Sequence, residues 1–179
     1  MFYISEVSLE RPSRYLSKLQ EQTYDTLSKL SMDWQRVETE EAITMEDCLL
    51  INERLDMNMV KTLFLCNRQR TVFYLFVTLG DKPFCSKEFS EALSISRVSF
   101  APAEMLYEKM ETKVGAASIF GLLRESASDI QLVFDQDVLD QPFYGCSDGT
   151  TTHYLKLYTT DIINKLVPFL NRDLLTIKL

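Results

Sequence analysis

Residues Val60 to Leu79 read VKTLFLCNRQRTVFYLFVTL. Two apolar runs, Leu63 to Cys66 and Val72 to Leu79, flank the polar Asn67, Arg68, Gln69 and Arg70, the pattern of a β-hairpin. In the second run Val72, Tyr74 and Phe76 alternate with Phe73, Leu75 and Val77. Both faces are therefore apolar, as in a strand covered on both sides, so this strand is expected at the centre of the sheet. In the first run Lys61 shares a face with Leu63 and Leu65, which sets an ammonium at the mouth of an apolar surface. Spacing alone leaves two readings for it, a snorkelling surface lysine or a functional one.

A chain of 179 residues supports one domain with a substantial core. We expect residues 1–11 to form an N-terminal extension and 12–179 the domain. The content of 46% hydrophobic and 11% aromatic residues is that of a folded globular protein, and no apolar run approaches the length of a membrane span. The start, MFYISEVSLERPSR, lacks the basic region, apolar core and small-residue cleavage site of a secretory signal. Cys48, Cys66, Cys85 and Cys146 stand far apart with a single histidine to join them, which points to reduced, mostly buried thiols rather than to a metal site. Together these features lead to the expectation of a cytoplasmic location. A net charge of -7 weighs against broad binding to a nucleic-acid backbone and leaves room for small local contacts.

Outward from the hairpin, helical spacing of Leu16, Leu19, Thr23, Leu27 and Leu30 predicts an amphipathic helix from Pro12. Gln35 to Glu38 reads as a short extended segment. Thr44 with Asp47 makes a capping-box start for a helix to about Arg54 with Cys48, Leu49 and Ile51 inward. After the hairpin, Ser86 is expected to cap a short helix, Arg97 to Phe100 to form a brief strand, and Pro102 to open a helix carrying Met105, Leu106 and Met110. In TKVGAASIFGLLR, Thr112 to Arg124, small residues precede a strand-like run, Ile119 to Leu123. Such a loop either lets backbone amides approach a ligand or simply makes a tight connection. Neither a P-loop nor GxGxxG is present. Ile130 to Phe134 reads as a strand, Asp135 to Asp140 as an acidic turn or short helix, and Gln141 to Asp148 as a loop. Thr150 to Tyr158 reads as a strand with His153, Leu155 and Leu157 on one face, which leaves His153 either structural or catalytic. A final helix starts at Thr160. Short strands mixed with helices, without regular βαβ spacing, define an α+β fold with a single mixed sheet.

Taken together, the stretches resemble the prolyl-tRNA editing family, free-standing relatives of the insertion domain of bacterial prolyl-tRNA synthetases, of the YbaK and synthetase-associated type. Lys61 to Leu65 is similar to the family's lysine-plus-NLFL strand, with Thr62 where asparagine is usual. Arg97 to Ala101 is similar to its R-x-SFA segment. Lys113 to Leu122 is similar to its glycine-loop strand, with Gly115 on the leading glycine. Ile119 stands where the family commonly has proline, and Gly145 and Cys146 stand where it has His-Pro.

The resemblance implies hydrolysis of a wrongly attached amino acid, alanine or cysteine, from tRNA, with tRNA-Pro the expected carrier. It assigns Lys61 and Gly115 to catalysis, and Thr62, Ala116, Ala117, Ser118, Ile119, Gly145 and Thr150 to substrate binding. Ester hydrolysis needs a stabilised oxyanion and a placed water, which backbone donors and a cation can supply without a metal or cofactor. The implied partners are the acceptor end of aminoacyl-tRNA, with Arg68, Arg70, Lys109 and Lys113 as candidate contacts, and prolyl-tRNA synthetase as a second candidate. Neither DNA nor a membrane is implied. The altered positions keep an alternative in view, a non-catalytic relative that binds tRNA or a synthetase through the same pocket.

Overall fold

The computed structural model describes residues 1–42 and 44–179. In chain order it forms helix α1 (Lys18–Lys29), strand β1 (Gln35–Glu38), helix α2 (Met45–Leu55) and the hairpin strands β2 (Val60–Cys66) and β3 (Phe73–Leu79). Helix α3 (Ser86–Ala92), the short strand β4 (Ser99–Phe100) and helix α4 (Ala103–Met110) follow. Two 3-10 turns, Ile119–Leu123 and Glu125–Ala127, lead to β5 (Ile130–Asp135), α5 (Gln136–Leu139), β6 (Phe143–Ser147) and β7 (His153–Tyr158). Helix α6 combines Thr159–Asp161, a π segment Ile162–Leu166 and Val167–Phe169, and β8 (Leu175–Ile177) closes the chain.

Strand β3 is the middle of a sheet ordered β4-β2-β3-β5-β8, and its two-faced apolar sequence is the reason. Phe73, Leu75 and Val77 enter the larger core, while Tyr74 and Phe76 enter a second core with Phe89 of α3 on the opposite face. The hairpin pairs Val60 with Leu79 and Cys66 with Phe73; β5 and β8 add in parallel on the far side. A separate antiparallel sheet, β1-β7-β6, sends Tyr144, Cys146, Leu155 and Leu157 into the larger core. The fold is α+β, as expected, with two sheets instead of one.

Residues 1–11 lie along β1, where Ile4 bridges to Thr39 and Ser8 to Arg36. Arg11 is fastened to Asp25 of α1 at 2.6 Å.

Several local expectations are corrected. Helix α1 begins after Ser17, whose side chain accepts from the Gln20 amide; Pro12 lies well before it and Leu16 is exposed. The capping box at Thr44 is present, but α2 buries Ile51 and Leu55 and leaves Leu49 exposed, because its turn toward β1 is set by contacts that spacing does not encode. Ser86 is the first helical residue of α3, with Cys85 before it. Ile119–Leu123 is a 3-10 turn rather than a strand: Ser118 caps it, and Gly121 lies so close to Met110 that a Cβ would meet Sδ at 2.7 Å. The segment read as a loop, Gln141 to Asp148, contains β6, whose pairing with β7 supplies the ordering energy that its Gly-containing sequence does not advertise. The π segment of α6 ends two residues before Pro168, which lacks the N–H that a regular turn would use.

Candidate functional site

In a β-strand the N–H and C=O of one residue point to the same side, and residues two apart share that side. The Met59 carbonyl accepts from the Gly80 amide (3.0 Å), toward β3, while the Phe64 carbonyl accepts from the Ala101 amide (2.9 Å), toward β4. Odd-numbered positions of β2 therefore bond to β3, and even-numbered ones face the outer edge. Strand β4 covers that edge opposite Leu65 and Cys66, and β6 touches it at its start through the bridge between Met59 and Gly145. Between these two covers the backbone of Thr62 faces a cavity of about 450 Å³.

Across the cavity lies the loop after α4, which contributes Val114, Gly115 and Ala117; β6 and β7 contribute Cys146, Ser147 and Tyr154. Gly115 has φ +90°, and a Cβ built on it would meet nothing within 4 Å, so backbone conformation rather than space calls for glycine there. The walls are mainly apolar, from Phe64, Leu106 and Phe100.

Lys61 and Gly115 both border this cavity. The Lys61 side chain, however, alternates onto the Leu63 and Leu65 face, and its ammonium donates to the main-chain carbonyl of Lys82. That carbonyl is well anchored. The Lys82 ammonium pairs with Asp135 at 2.7 Å and Asp137 at 2.9 Å, and the Thr78 hydroxyl donates to the fully buried Asp135 at 2.8 Å. Burial opposes the charge on Lys82, but the two carboxylates outweigh it and hold its pKa above the ordinary lysine value.

The other residues assigned by resemblance divide into two sets. Thr62, Gly115 and Ala117 line the cavity with Lys61. Ala116, Ser118 and Ile119 are buried behind the loop: the Ala116 carbonyl accepts from Ser147 Oγ (3.3 Å) and the Ser118 hydroxyl caps the 3-10 turn. Gly145 packs against Met57 and Asn58, and Thr150 donates to buried Asp148 at 2.8 Å. His153 is engaged by Thr152 at 2.9 Å and faces Glu38 at 3.5 Å, outside the cavity. Sequence reading missed Phe100, Ser147 and Tyr154 as lining residues. The SFA segment carried a signal for the first, whereas Ser147 and Tyr154 reach the site only through the pairing of β6 with β7.

The hydroxyls and the thiol at the site are kept neutral. Burial pushes the Cys146 thiol up, nearby Asp148 adds to the shift, and the Ser118 hydroxyl offsets only part of it. Burial likewise pushes Tyr154 up to about 12, and its hydroxyl is spent on the Thr151 carbonyl at 3.0 Å. A thiolate nucleophile is therefore disfavoured at this position. The surroundings suit polarisation of a carbonyl by backbone donors rather than covalent catalysis. Among the described residues no three His, Cys, Asp or Glu side chains come together as metal ligands.

Residues 39–165 match the family model described as the aminoacyl-tRNA editing domain, a span that includes β2, the glycine loop, β6 and β7. The chain belongs to this family. The editing-family chain is 27% identical over 114 residues to the prolyl-tRNA editing protein ProX of Acetoanaerobium sticklandii, covering 63% of this chain and 69% of that protein. It is 24% identical over 120 residues to prolyl-tRNA synthetase associated domain-containing protein 1 of Danio rerio, covering 67% of this chain and 65% of that one, just under two thirds of its length. A solved structure described as a candidate trans-editing enzyme for prolyl-tRNA synthetase superposes with a TM-score of 0.65 at 14% identity, over 92% of this chain and 99% of the other, which supports the fold. The family resemblance seen in the Lys61 strand and the Gly115 loop is thus upheld. No helix among the described residues is long and apolar enough to cross a membrane.

Proposed function

We propose that this chain is a trans-editing deacylase that hydrolyses alanine or cysteine wrongly esterified to tRNA, with tRNA-Pro the carrier. The observation that carries the reading is that Thr62, on the edge of β2 between the β4 pairing and the Met59–Gly145 bridge, lines one cavity with Gly115 and Lys61. The ester carbonyl sits between the backbones of Thr62 and Gly115, whose amides stabilise its oxygen as negative charge develops. Water adds to the carbonyl carbon, the bond to the ribose oxygen breaks, and the water proton passes to that oxygen by way of the neighbouring ribose hydroxyl. Lys61 contacts a phosphate near the ester: an anionic oxygen is a stronger acceptor than the neutral Lys82 carbonyl that holds its ammonium in the free protein.

Such a site acts as a second sieve. A synthetase pocket gains only about 1 to 3 kcal/mol per methylene and so cannot fully reject a smaller amino acid. A second protein that admits the smaller group corrects the error.

The decisive measurement is deacylation of Ala-, Cys- and Ser-tRNAs by the wild type and by Lys61→Ala. The wild type should cleave at least one ester well above buffer hydrolysis, and the variant should be slower by about 10²- to 10³-fold. No cleavage by the wild type removes the deacylase reading; equal rates remove the role of Lys61. The second reading, a non-catalytic relative that binds tRNA or prolyl-tRNA synthetase, draws on Gly145, which cannot supply the imidazole that the family has there. Binding of uncharged tRNA without cleavage of any ester would favour it.

A further inference from the structure

Three polar side chains, Lys61, Thr78 and Asp135, stand in one row across the end of the larger sheet. Lys61 of β2 pairs with Thr78 of β3, and the Thr78 hydroxyl donates to Asp135 of β5 at 2.8 Å. By alternation Lys61 shares its face with Leu65, Thr78 with Phe76 and Asp135 with Val133, all residues of the second core. Lys82 closes the row. Its ammonium reaches Asp135 at 2.7 Å and Asp137 at 2.9 Å, while its main-chain carbonyl accepts from the Lys61 ammonium. Asp135 is fully buried with both oxygens in use, Oδ2 by Thr78 and Lys82 and Oδ1 by the Asp137 amide at 3.1 Å.

The main chain of Lys82 is fixed as well as its side chain. Its amide donates to the Leu79 carbonyl at 3.1 Å and closes the turn after β3, and the Gly80 amide donates to the Met59 carbonyl at 3.0 Å. A Cβ on Gly80 would meet that Met59 oxygen at 2.7 Å, so the turn lies directly against the start of β2. Pro83 follows and disfavours helical backbone at Lys82. Compensating the buried Asp135 charge needs only the Lys82 ammonium. The bond from Lys61 to the Lys82 carbonyl is a further link. It ties the only charged side chain among the described residues that line the cavity to a strand two places away in the sheet.

We propose that Lys82 and Asp135 are positioning residues, which preset the Lys61 ammonium at the border of the cavity by way of the Lys82 carbonyl. An ammonium has three N–H donors. One is spent on the carbonyl and two are left for an anionic oxygen of the substrate. Because the lysine is already held, little of its rotamer freedom remains to be lost when that oxygen arrives. The effect on catalysis rests on the deacylase reading, whereas the placement of the ammonium in the free protein does not.

The test compares the wild type with the double variant Lys82→Met and Asp135→Asn, which removes both charges and keeps both shapes. The first measurement is NMR relaxation of the Lys61 ammonium in the free protein. Its order parameter should exceed that of the exposed Lys18 in the wild type and fall to the Lys18 level in the double variant. The second is deacylation. The double variant should lose about 10- to 100-fold in kcat/KM. The same two changes made beside Lys61→Ala should alter the rate by less than about twofold, because the network then has nothing left to position. A merely structural pair would slow both backgrounds equally. Lys82→Arg, which keeps a cation between the two carboxylates, should recover most of both signals. Should thermal unfolding show that the double variant does not fold, Asp137→Asn alters only the partly exposed partner, with an expected loss of about two- to fivefold in the same pattern. The proposal is overturned if Lys61 is as mobile as Lys18 in the wild type, if its order is unchanged in the variants, or if their losses add to that of Lys61→Ala. A wild type that cleaves no ester removes the deacylase reading instead, and the NMR comparison still decides the placement.

Discussion

Two glycines of the loop and sheet that frame the cavity have opposite physical reasons. Gly115 has open space around it and a φ of +90°, so Gly115→Ala introduces backbone strain of about 1 to 2 kcal/mol without a clash. A fall in thermal midpoint with a slower deacylation rate is expected, and an unchanged rate would show that the loop backbone does not contact the ester. At Gly145 the constraint is space. An added Cβ would lie 2.5 Å from Met57 Sδ and 3.2 Å from the Asn58 carbonyl, so Gly145→Ala should destabilise by about 1 to 3 kcal/mol, with part recovered in the double variant with Met57→Ala. Equilibrium denaturation in urea measures both. The same crowding explains why a histidine cannot simply be restored at this position.

At the scale of elements, the site exists because β2 is only partly covered. The hairpin satisfies its inner side, β4 and β6 each cover one end of its outer side, and Thr62 falls in the gap. The N-terminus of α2 is a purely local feature by comparison. Thr44 Oγ1 accepts from the Asp47 amide (3.1 Å) and Asp47 accepts from the Thr44 amide (2.9 Å). Thr44→Ala should therefore cost about 1 kcal/mol in a urea titration and leave RNA binding and deacylation unaltered. The contrast shows what was legible at this scale. A capping box, the two-sided run of β3 and the opening of α4 after Pro102 are written in neighbouring residues. Strands β6 and β8 are not, because each is ordered by a partner strand distant in sequence.

For the molecule as a whole, the buried titrating groups predict alkaline instability. Burial raises the pKa values of Tyr24, Tyr144 and Cys146 above the ordinary values of 10.0 and 9.0, and the Asp135 and Asp137 carboxylates hold Lys82 above 10.5. Each group keeps its proton in the folded state after it would lose it in the unfolded chain. The stability it contributes is complete below the unfolded value and is lost as pH rises toward the folded one. Urea midpoints should decline from about pH 9 to 10 upward; a midpoint constant through this range would contradict the assignment. Glu38 has the opposite sign: its hydrogen bond to Arg36 lowers its pKa below 4.5, so its contribution is present above that value and is lost as pH falls.

Taken by itself the sequence determined the mixed α+β class, the hairpin with β3 at its centre, and membership of the editing family through the Lys61 strand and the Gly115 loop. These are properties of short segments, where alternation, capping and turn chemistry act between near neighbours. Only the tertiary structure decided that the lysine ammonium rests on the Lys82 carbonyl while the Thr62 backbone faces the cavity, that Ser118 and Ile119 are buried supports, and that Lys82 joins Lys61 to Asp135 of β5. Those outcomes depend on which strands cover which edge, a choice made by pairings between residues as distant as Met59 and Gly145 that no local pattern records.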